Sequence, residues 1–133
     1  IGIAVESLEG GSTFWRLLGL SEHGEDELVE DQGVTTRFFS TNVASEDDHP
    51  TQIELLEPTS TDTPIGKFLV KKGKGVQQIC FRVGDLNGLI AHLIEHDILM
   101  INTVPRKGAG GKMIAFVHPK STGGVLVELT QAA

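Results

Sequence analysis

Amides and carboxylates occupy alternate positions in three strand-like segments of the chain. Gln52 and Glu54 lie in the first segment, and Gln78 and Glu128 lie in two later ones. Because alternate residues of a β-strand point to the same side of a sheet, we expect these side chains to share a face. A carboxylate on a mostly uncharged surface is costly unless it binds a partner. The pattern therefore predicts a binding site, with a plain solvated sheet face as the alternative.

The neighbouring strand positions support this division into two faces. The polar face also carries small residues and a few others, at Gly2, Ala4, Cys80, Arg82 and Leu126. The opposite face is uniformly apolar, at Ile1, Ile3, Val5, Ile53, Leu55, Ile79, Phe81, Val83, Val125, Val127 and Leu129. We expect the apolar face to pack beneath helices, because burial of such residues drives folding.

The elements that position these residues repeat along the chain. A strand at Ile1 to Val5 and another at Gln78 to Val83 are each followed by a helix signal, with Ser7 and Asp85 as N-caps. The two passages align at an offset of 78 residues, and Gly19 ends the first helix. The second helix has an apolar stripe at spacings of three and four residues, which should cover a sheet face.

Further strands complete each repeat. They are predicted at Val34 to Phe39, Gln52 to Leu56, Lys112 to His118 and Val125 to Leu129. The last strands of the two repeats match at an offset of 74 residues. Between the repeats, Asp62-Thr63-Pro64 starts a short linker helix that ends at Gly73. The sequence therefore predicts an α+β fold built from two similar modules.

The composition indicates one globular domain. The chain has 133 residues, of which 39% are hydrophobic and 22% are charged. No apolar run approaches the roughly 20 residues needed to span a bilayer, so we expect no membrane partner. The single Cys80 excludes an internal disulfide and suits a reducing compartment, either the cytoplasm or the mitochondrial matrix. The chain begins at Ile1 within a strand-like run, so we expect residues upstream, and targeting stays open.

Charge is distributed unevenly along the sequence. Residues 1–62 contain 14 acidic and 2 basic residues, whereas residues 63–133 contain 4 acidic and 9 basic residues. The formal net charge of -7 argues against nucleic acid as a partner, because a polyanion is repelled at long range. The basic second half is either an ordinary solvated surface or a rim for an anionic ligand.

Other motifs have simpler explanations than the chemistry they suggest. His92 and His96 with Glu95 match the H-x-x-E-H pattern of zinc peptidases, but their helix needs its apolar face for the sheet, so ordinary exposed histidines explain them better. The run from Gly108 to Lys112 lacks the spacing of a phosphate loop, which favours a flexible hairpin loop. Cys80 has no sequence-adjacent base to activate it as a nucleophile.

Longer motifs run through essentially the whole chain. They are IGIAV from Ile1, QIELLEP from Gln52, DTPI from Asp62, Phe68-Leu69, GVQQI from Gly75, GAGG from Gly108 and HPKSTGGVLVEL from His118. The last of these is the most specific. With these motifs the chain resembles methylmalonyl-CoA epimerases of the vicinal-oxygen-chelate superfamily.

This resemblance implies a glyoxalase-like domain in which two paired βαβββ modules form a concave cup. The modules lie at about residues 1–60 and 75–133, with the linker helix at about 62–74. The resemblance places ligands of a divalent metal ion (cobalt, manganese, magnesium, nickel or zinc) at Glu54, Gln78 and Glu128, and a fourth directly before Ile1. The family usually has His-His where this chain has Gln77-Gln78. A neutral amide oxygen is a weaker ligand that suits harder ions, so either Gln78 binds through its oxygen or the metal chemistry is lost.

The implied activity is epimerisation of a carboxyacyl-CoA through a metal-stabilised enolate. Glu128 is then both a ligand and the candidate catalytic carboxylate, while the second carboxylate of the family aligns near Thr36. An acyl-CoA partner would meet basic and polar residues of the second half, at Arg106, Lys107, Lys120 and Ser121. The resemblance also implies a homodimer. Two alternatives stay open, a metal-free binding protein with the same fold and a glyoxalase-type lyase acting on another thiol-derived substrate.

Overall fold

The computed structural model describes residues 1–40 and 50–132, which form two compact units. The first unit is Ile1–Gln77 and the second is Gln78–Ala133, so the division falls within strand β6 (Gly75–Arg82). Every helix in the described part of the chain is too short or too polar to cross a membrane.

In the first unit, helix α1 (Leu8–Leu18) packs against a five-stranded sheet. The strands are β1 (Gly2–Ala4), β2 (Ser21–Glu22), β3 (Glu27–Val29), β4 (Val34–Ser40) and β5 (Gln52–Pro58). Strand β4 pairs antiparallel with β2, β3 and β5, whereas β1 pairs with β5 in parallel. The predicted strands appear as β1, β4 and β5, and the short strands β2 and β3 were not predicted.

Capping residues define the helices of this unit as the sequence predicts. The Ser7 side chain accepts a hydrogen bond from the Gly10 backbone N–H at 3.0 Å, which caps the start of α1. Gly19 follows the helix with φ of 99°, a left-handed conformation that favours glycine. Helix α2 (Pro64–Lys72) lies in the predicted linker region, with Thr63 as its N-cap.

The second unit contains one complete βαβββ module. After β6 come α3 (Leu86–Glu95), β7 (Arg106–Lys107), β8 (Met113–Val117) and β9 (Val127–Gln131). Strand β6 pairs with β9 in parallel, and β8 pairs antiparallel with both β7 and β9. Asp85 caps α3 as predicted, accepting a hydrogen bond from the Gly88 N–H at 3.0 Å. The glycine-rich run near residue 110 joins β7 to β8 as a hairpin loop.

The internal repeat is visible in the strand register. Gly2 lies opposite Glu54 in the β1–β5 pair, and Cys80 lies opposite Glu128 in the β6–β9 pair. The two pairs are related by the offsets of 78 and 74 residues that the sequence predicts. Glu128 therefore occupies in the second unit the place that Glu54 occupies in the first.

Each unit has its own apolar core beneath its helix. In the first unit Val5, Leu8, Phe39 and Leu55 are buried together, and in the second unit the core is Leu86, Ile90, Met100, Ala115, Val117 and Leu129. The expectation that the whole apolar face is covered is wrong at four positions. Ile1, Ile79, Phe81 and Val125 are 40%, 37%, 56% and 39% exposed. Helix α3 packs mainly against β8 and β9.

Candidate functional site

A hydrogen-bonded amide and carboxylate lie on the sheet of the second unit. Cys80 lies directly opposite Glu128 on the neighbouring parallel strand, and Gln78 lies two residues earlier on the same face of β6. Gln78 Nε2 donates a hydrogen bond to Glu128 Oε2 at 2.7 Å. The Gln78 residue is only 6% exposed. Two of the predicted site residues are therefore in direct contact.

The surroundings of Glu128 change its acidity. Burial raises the pKa of the Glu128 carboxyl above its ordinary value, because the charged form loses solvation. Hydrogen bonds from Cys80 and Gln78 act in the opposite direction by stabilising the carboxylate. A partly buried carboxyl with a raised pKa is suited to exchanging protons near neutral pH, and its charged form favours a nearby cation.

The ligand atoms offered by this pair are oxygens. Because Gln78 directs its NH₂ group to Glu128, only its Oε1 is available to a metal ion. Within residues 1–40 and 50–132, no group of three or more His, Cys, Asp and Glu side chains is arranged to hold a metal. An amide and a carboxylate oxygen fit a hard ion such as magnesium or manganese, which keeps several water ligands. They fit cobalt, nickel or zinc less well.

Glu54 holds the equivalent position in the first unit. It lies opposite Gly2 on β1 and Phe38 on β4. The adjacent Leu55 points to the other face, where it is fully buried in the core beneath α1. Glu54 is therefore on the face turned away from α1, as the alternation of residues predicts.

Thr36 occupies the position near which the second family carboxylate aligns. It lies on β4 and is only 2% exposed. Its Oγ1 is buried and has no hydrogen-bond partner among the described residues. Nearly all buried polar atoms have a partner in folded proteins, so an unsatisfied hydroxyl needs an explanation, such as a ligand.

The four predicted substrate-binding residues lie in two segments of the second unit. Arg106 and Lys107 form the exposed strand β7. Lys120 and Ser121 belong to a short 3-10 turn, whose start is capped by His118 Nδ1 accepting from the Lys120 N–H at 3.0 Å. Ser121 Oγ accepts a hydrogen bond from the Leu99 N–H at 2.9 Å, so this hydroxyl also holds the loop in place.

The sequence did not predict the contact between Cys80 and Glu128. The signal was present, because Cys80 lies two residues after Gln78 and therefore on the same face of the strand. Its role depends on the parallel register of β6 and β9, which places the thiol beside the carboxylate. The residues next to Cys80 in the sequence do not indicate that β6 pairs with β9.

A family model described as the Glyoxalase/Bleomycin resistance protein/Dioxygenase superfamily matches residues 1–116. The chain belongs to this superfamily. The protein YqjC of Bacillus subtilis, described as uncharacterized, is 39% identical over 132 residues, which are 98% of this chain and 89% of that protein. The mitochondrial methylmalonyl-CoA epimerase of Homo sapiens is 35% identical over 133 residues, which are 99% of this chain and 72% of the human protein.

A solved structure also shows similarity to methylmalonyl-CoA epimerases. A methylmalonyl-CoA epimerase in complex with methylmalonyl-CoA and ammonium superposes with a TM-score of 0.91 at 35% identity, covering 100% of this chain and 92% of that one. The chain is thus an isomerase of the methylmalonyl-CoA epimerase family with the vicinal-oxygen-chelate fold. The family, the fold class and the enzyme class predicted from the sequence are confirmed.

Proposed function

We propose that this protein epimerises a carboxyacyl-CoA such as methylmalonyl-CoA, by moving the proton on the carbon between the thioester and the carboxylate. Its relatives include epimerases named for this substrate, and one solved relative holds methylmalonyl-CoA. The observation that carries the proposal is the 2.7 Å hydrogen bond between Gln78 and Glu128. It fixes the orientation of a carboxyl whose pKa is raised by burial, as a proton-transfer group requires.

Glu128, Cys80 and Gln78 each have a role in the proposed reaction. Removing the proton from the acidic carbon leaves an enolate, whose negative charge must be stabilised. Glu128 as a carboxylate accepts that proton, and as a carboxylic acid it returns one. Because the pKa of Glu128 is raised, its protonated and ionised forms are closer in free energy near neutral pH than those of an exposed glutamate. Cys80 and Gln78 hold the carboxyl in place through their hydrogen bonds.

We also propose that Glu54, Gln78 and Glu128 are ligands of a divalent metal ion. The equivalence of Glu54 and Glu128 in the repeat supports this assignment, as does the oxygen character of all three side chains. When bound, such an ion supplies Lewis-acid stabilisation of the enolate oxygens. Magnesium and manganese suit these ligands best. The anionic tail of the substrate is proposed to contact Arg106, Lys107, Lys120 and Ser121.

Deuterium incorporation into methylmalonyl-CoA tests the proposed function. In deuterated water the protein should introduce deuterium at the acidic carbon and interconvert the two enantiomers, and a chelator should suppress both reactions. General acid–base catalysis contributes roughly 10²- to 10⁴-fold, so we expect Glu128→Gln to slow exchange by at least about 100-fold. Glu95→Gln is the matched control, because Glu95 is an exposed carboxylate at the end of α3. Nuclear magnetic resonance follows the exchange directly.

Two other outcomes would change the assignment. If the protein supplied with manganese or cobalt binds methylmalonyl-CoA but exchanges no proton, it is a binding protein that has lost the chemistry. If it instead converts a glutathione hemithioacetal, it is a glyoxalase-type lyase. Exchange that persists unchanged in Glu128→Gln would place the proton-transfer group elsewhere.

A further inference from the structure

Two histidine side chains lie against each other at the end of helix α3. His92 is in the last turn of the helix, and His96 is the residue that caps its end. Their ring centroids are 4.5 Å apart, and the ring planes are inclined by 49°. Both residues are exposed. The pair is therefore open to solvent, and its two imidazoles are close enough to bind one ligand together.

A hydrogen bond within the pair determines which nitrogen of His96 can bind a cation. His96 Nδ1 lies 2.8 Å from the backbone oxygen of His92. Because a carbonyl oxygen only accepts hydrogen bonds, Nδ1 carries the hydrogen and donates it, and the lone pair of the neutral ring is on Nε2. Histidines that bind metal ions usually donate their other ring N–H to a carbonyl or carboxylate in the same way. His96 therefore has the tautomer of a metal ligand.

The separation of the two rings matches that of imidazoles bound to a single ion. An ion about 2.0–2.1 Å from one nitrogen of each ring holds the ring centroids about 4.5–5 Å apart, for angles of about 90–109° at the ion. The observed separation of 4.5 Å is at the lower end of this range. Helical zinc motifs also place two histidines four residues apart, on one face of the helix.

The end of the helix favours a cation and leaves part of its coordination to water. The last C=O groups of a helix carry partial negative charge, equivalent to roughly half an elementary charge. In the part of the chain that the structure describes, no third His, Cys, Asp or Glu side chain joins the pair to hold a metal. Water molecules would therefore occupy the other positions around the ion, and the ion would exchange readily with solvent.

The histidine pair and Glu128 lie on opposite sides of the sheet of the second unit. Leu86 and Ile90 of α3 are buried together with Leu129 of β9. Leu129 therefore points towards the helix, and the adjacent Glu128 points to the other face of the sheet. An ion bound at the end of α3 is thus a different ion from the one proposed for the site at Glu128.

We propose that His92 and His96 form a second metal site, which binds zinc, nickel or copper through their two imidazoles. Imidazole suits these ions, whereas magnesium prefers oxygen ligands. With two protein ligands, the site differs from the catalytic zinc sites of peptidases, which have three. It does not depend on the proposed epimerase activity.

Nuclear magnetic resonance of the full chain titrated with zinc tests this proposal, because it follows each histidine ring separately. Zinc should shift the ring signals of His92 and His96 together, with the same saturation. In His92→Gln, the zinc concentration that half-saturates the His96 ring should rise at least about tenfold, and His96→Gln should have the same effect on the His92 ring. His23→Gln is the matched control, because it removes a single exposed histidine of the first unit and should leave both titrations unchanged.

A second comparison separates this site from the one proposed at Glu128. Glu128→Gln should leave the zinc titrations of both rings unchanged, and excess magnesium should not displace the zinc. His92→Gln should epimerise methylmalonyl-CoA at the wild-type rate, because α3 lies on the other side of the sheet.

Three results would overturn the proposal. Zinc that shifts only one of the two rings would show that the histidines do not share an ion. An unchanged His96 titration in His92→Gln would show the same. If Glu128→Gln abolishes the shifts of both rings, the ion is bound at Glu128 and the rings respond indirectly. The proposed epimerase activity would survive each of these results.

Discussion

At the scale of single residues, Gln78 determines how the site can bind a metal ion. An amide offers one neutral oxygen, and the hydrogen bond to Glu128 fixes which end of the amide faces the carboxylate. Imidazole is a better ligand for cobalt and nickel, whereas the amide favours ions with a strong preference for oxygen. Gln78 occupies the strand position at which the family usually has histidine. The atom that it offers to a metal ion is an amide oxygen instead of an imidazole nitrogen.

Replacing this amide by imidazole should change metal preference. We expect Gln78→His to raise the affinity for cobalt or nickel by about tenfold, which corresponds to about 1.4 kcal/mol. Isothermal titration calorimetry measures the affinity without depending on activity. Gln77→His is the matched control, because adjacent residues of a strand point to opposite faces. Equal gains in metal affinity in Gln78→His and Gln77→His would contradict a ligand role for position 78. Loss of metal binding in Glu54→Gln would support Glu54 as a ligand.

Part of the candidate site was predictable from residue alternation. Gln78 and Glu128 could be placed on one face because each lies in a strand with a clear alternating pattern. Strand β3 could not be predicted, because it has only three residues and its hydrophobic pattern is too short to identify a strand. The position of β3 depends on pairing with β4, a tertiary contact that the local sequence does not specify.

At the scale of elements, a network of ion pairs joins α1 to the sheet of the first unit. The Arg37 guanidinium contacts Asp26 Oδ2 at 2.7 Å and Glu9 Oε2 at 3.0 Å. Arg16 on α1 pairs with Glu9 and with Glu22 on β2. The network therefore links the helix to β2, β4 and the residue that precedes β3. This arrangement supports the β3–β4 pairing.

The stability contributed by this network should depend on pH. Hydrogen bonds from Arg16 and Arg37 lower the pKa of Glu9 from 4.5 to about 2. Because the folded state lowers this pKa, the stabilisation is fully present above pH 4.5 and is lost as the pH falls through about 2. Urea unfolding should show that Glu9→Gln is less stable than the wild type at neutral pH, and that the difference in the free energy of unfolding shrinks as the pH falls and vanishes only below about 2.

A matched substitution controls for the loss of one negative charge. Glu6→Gln makes the same change at an exposed position just before α1. If Glu6→Gln and Glu9→Gln lower the stability equally at every pH, the ion pairs of Glu9 contribute nothing specific. High salt should also reduce the effect of Glu9→Gln, because exposed ion pairs are screened.

Most of the long elements were predictable, because their signals are local. Ser7, Gly19 and Asp85 cap helices where the sequence indicates, and the strands that carry the site follow the alternating pattern. The exposure of Ile79 and Phe81 was not predictable, since it depends on which strands α3 covers. Hydrophobic periodicity shows that a residue belongs to an apolar face, but not whether a helix lies over that residue.

At the scale of the whole molecule, charge differs sharply between the two halves of the sequence. The first 62 residues carry a formal charge of about -12 and the remaining residues about +5. An acyl-CoA has a polyanionic tail, so the basic half should attract it and the acidic half should repel it. The exposed residues of β7 and of the turn near residue 120 are the proposed contacts.

Neutralising these contacts should weaken binding of the acyl-CoA in a salt-dependent manner. The test variant changes three basic residues to glutamine, at Arg106, Lys107 and Lys120. An exposed ion pair contributes about 0.2–1 kcal/mol, so the loss of three should raise the dissociation constant for methylmalonyl-CoA about tenfold at low salt. The effect should shrink as the Debye length falls from about 30 Å at 0.01 M to about 8 Å at 0.15 M.

A second triple variant separates local contact from net charge. It makes the same change on α2, at Lys67, Lys71 and Lys72, which are all exposed. Both variants lose three positive charges, so a general attraction of the basic half would weaken binding equally in the two. A larger loss in the first variant, measured by calorimetry in both salt conditions, would support direct contact with the tail. Equal losses would mean that only the long-range field steers the ligand, and unchanged affinity in both variants would rule out a role for this charge asymmetry in binding.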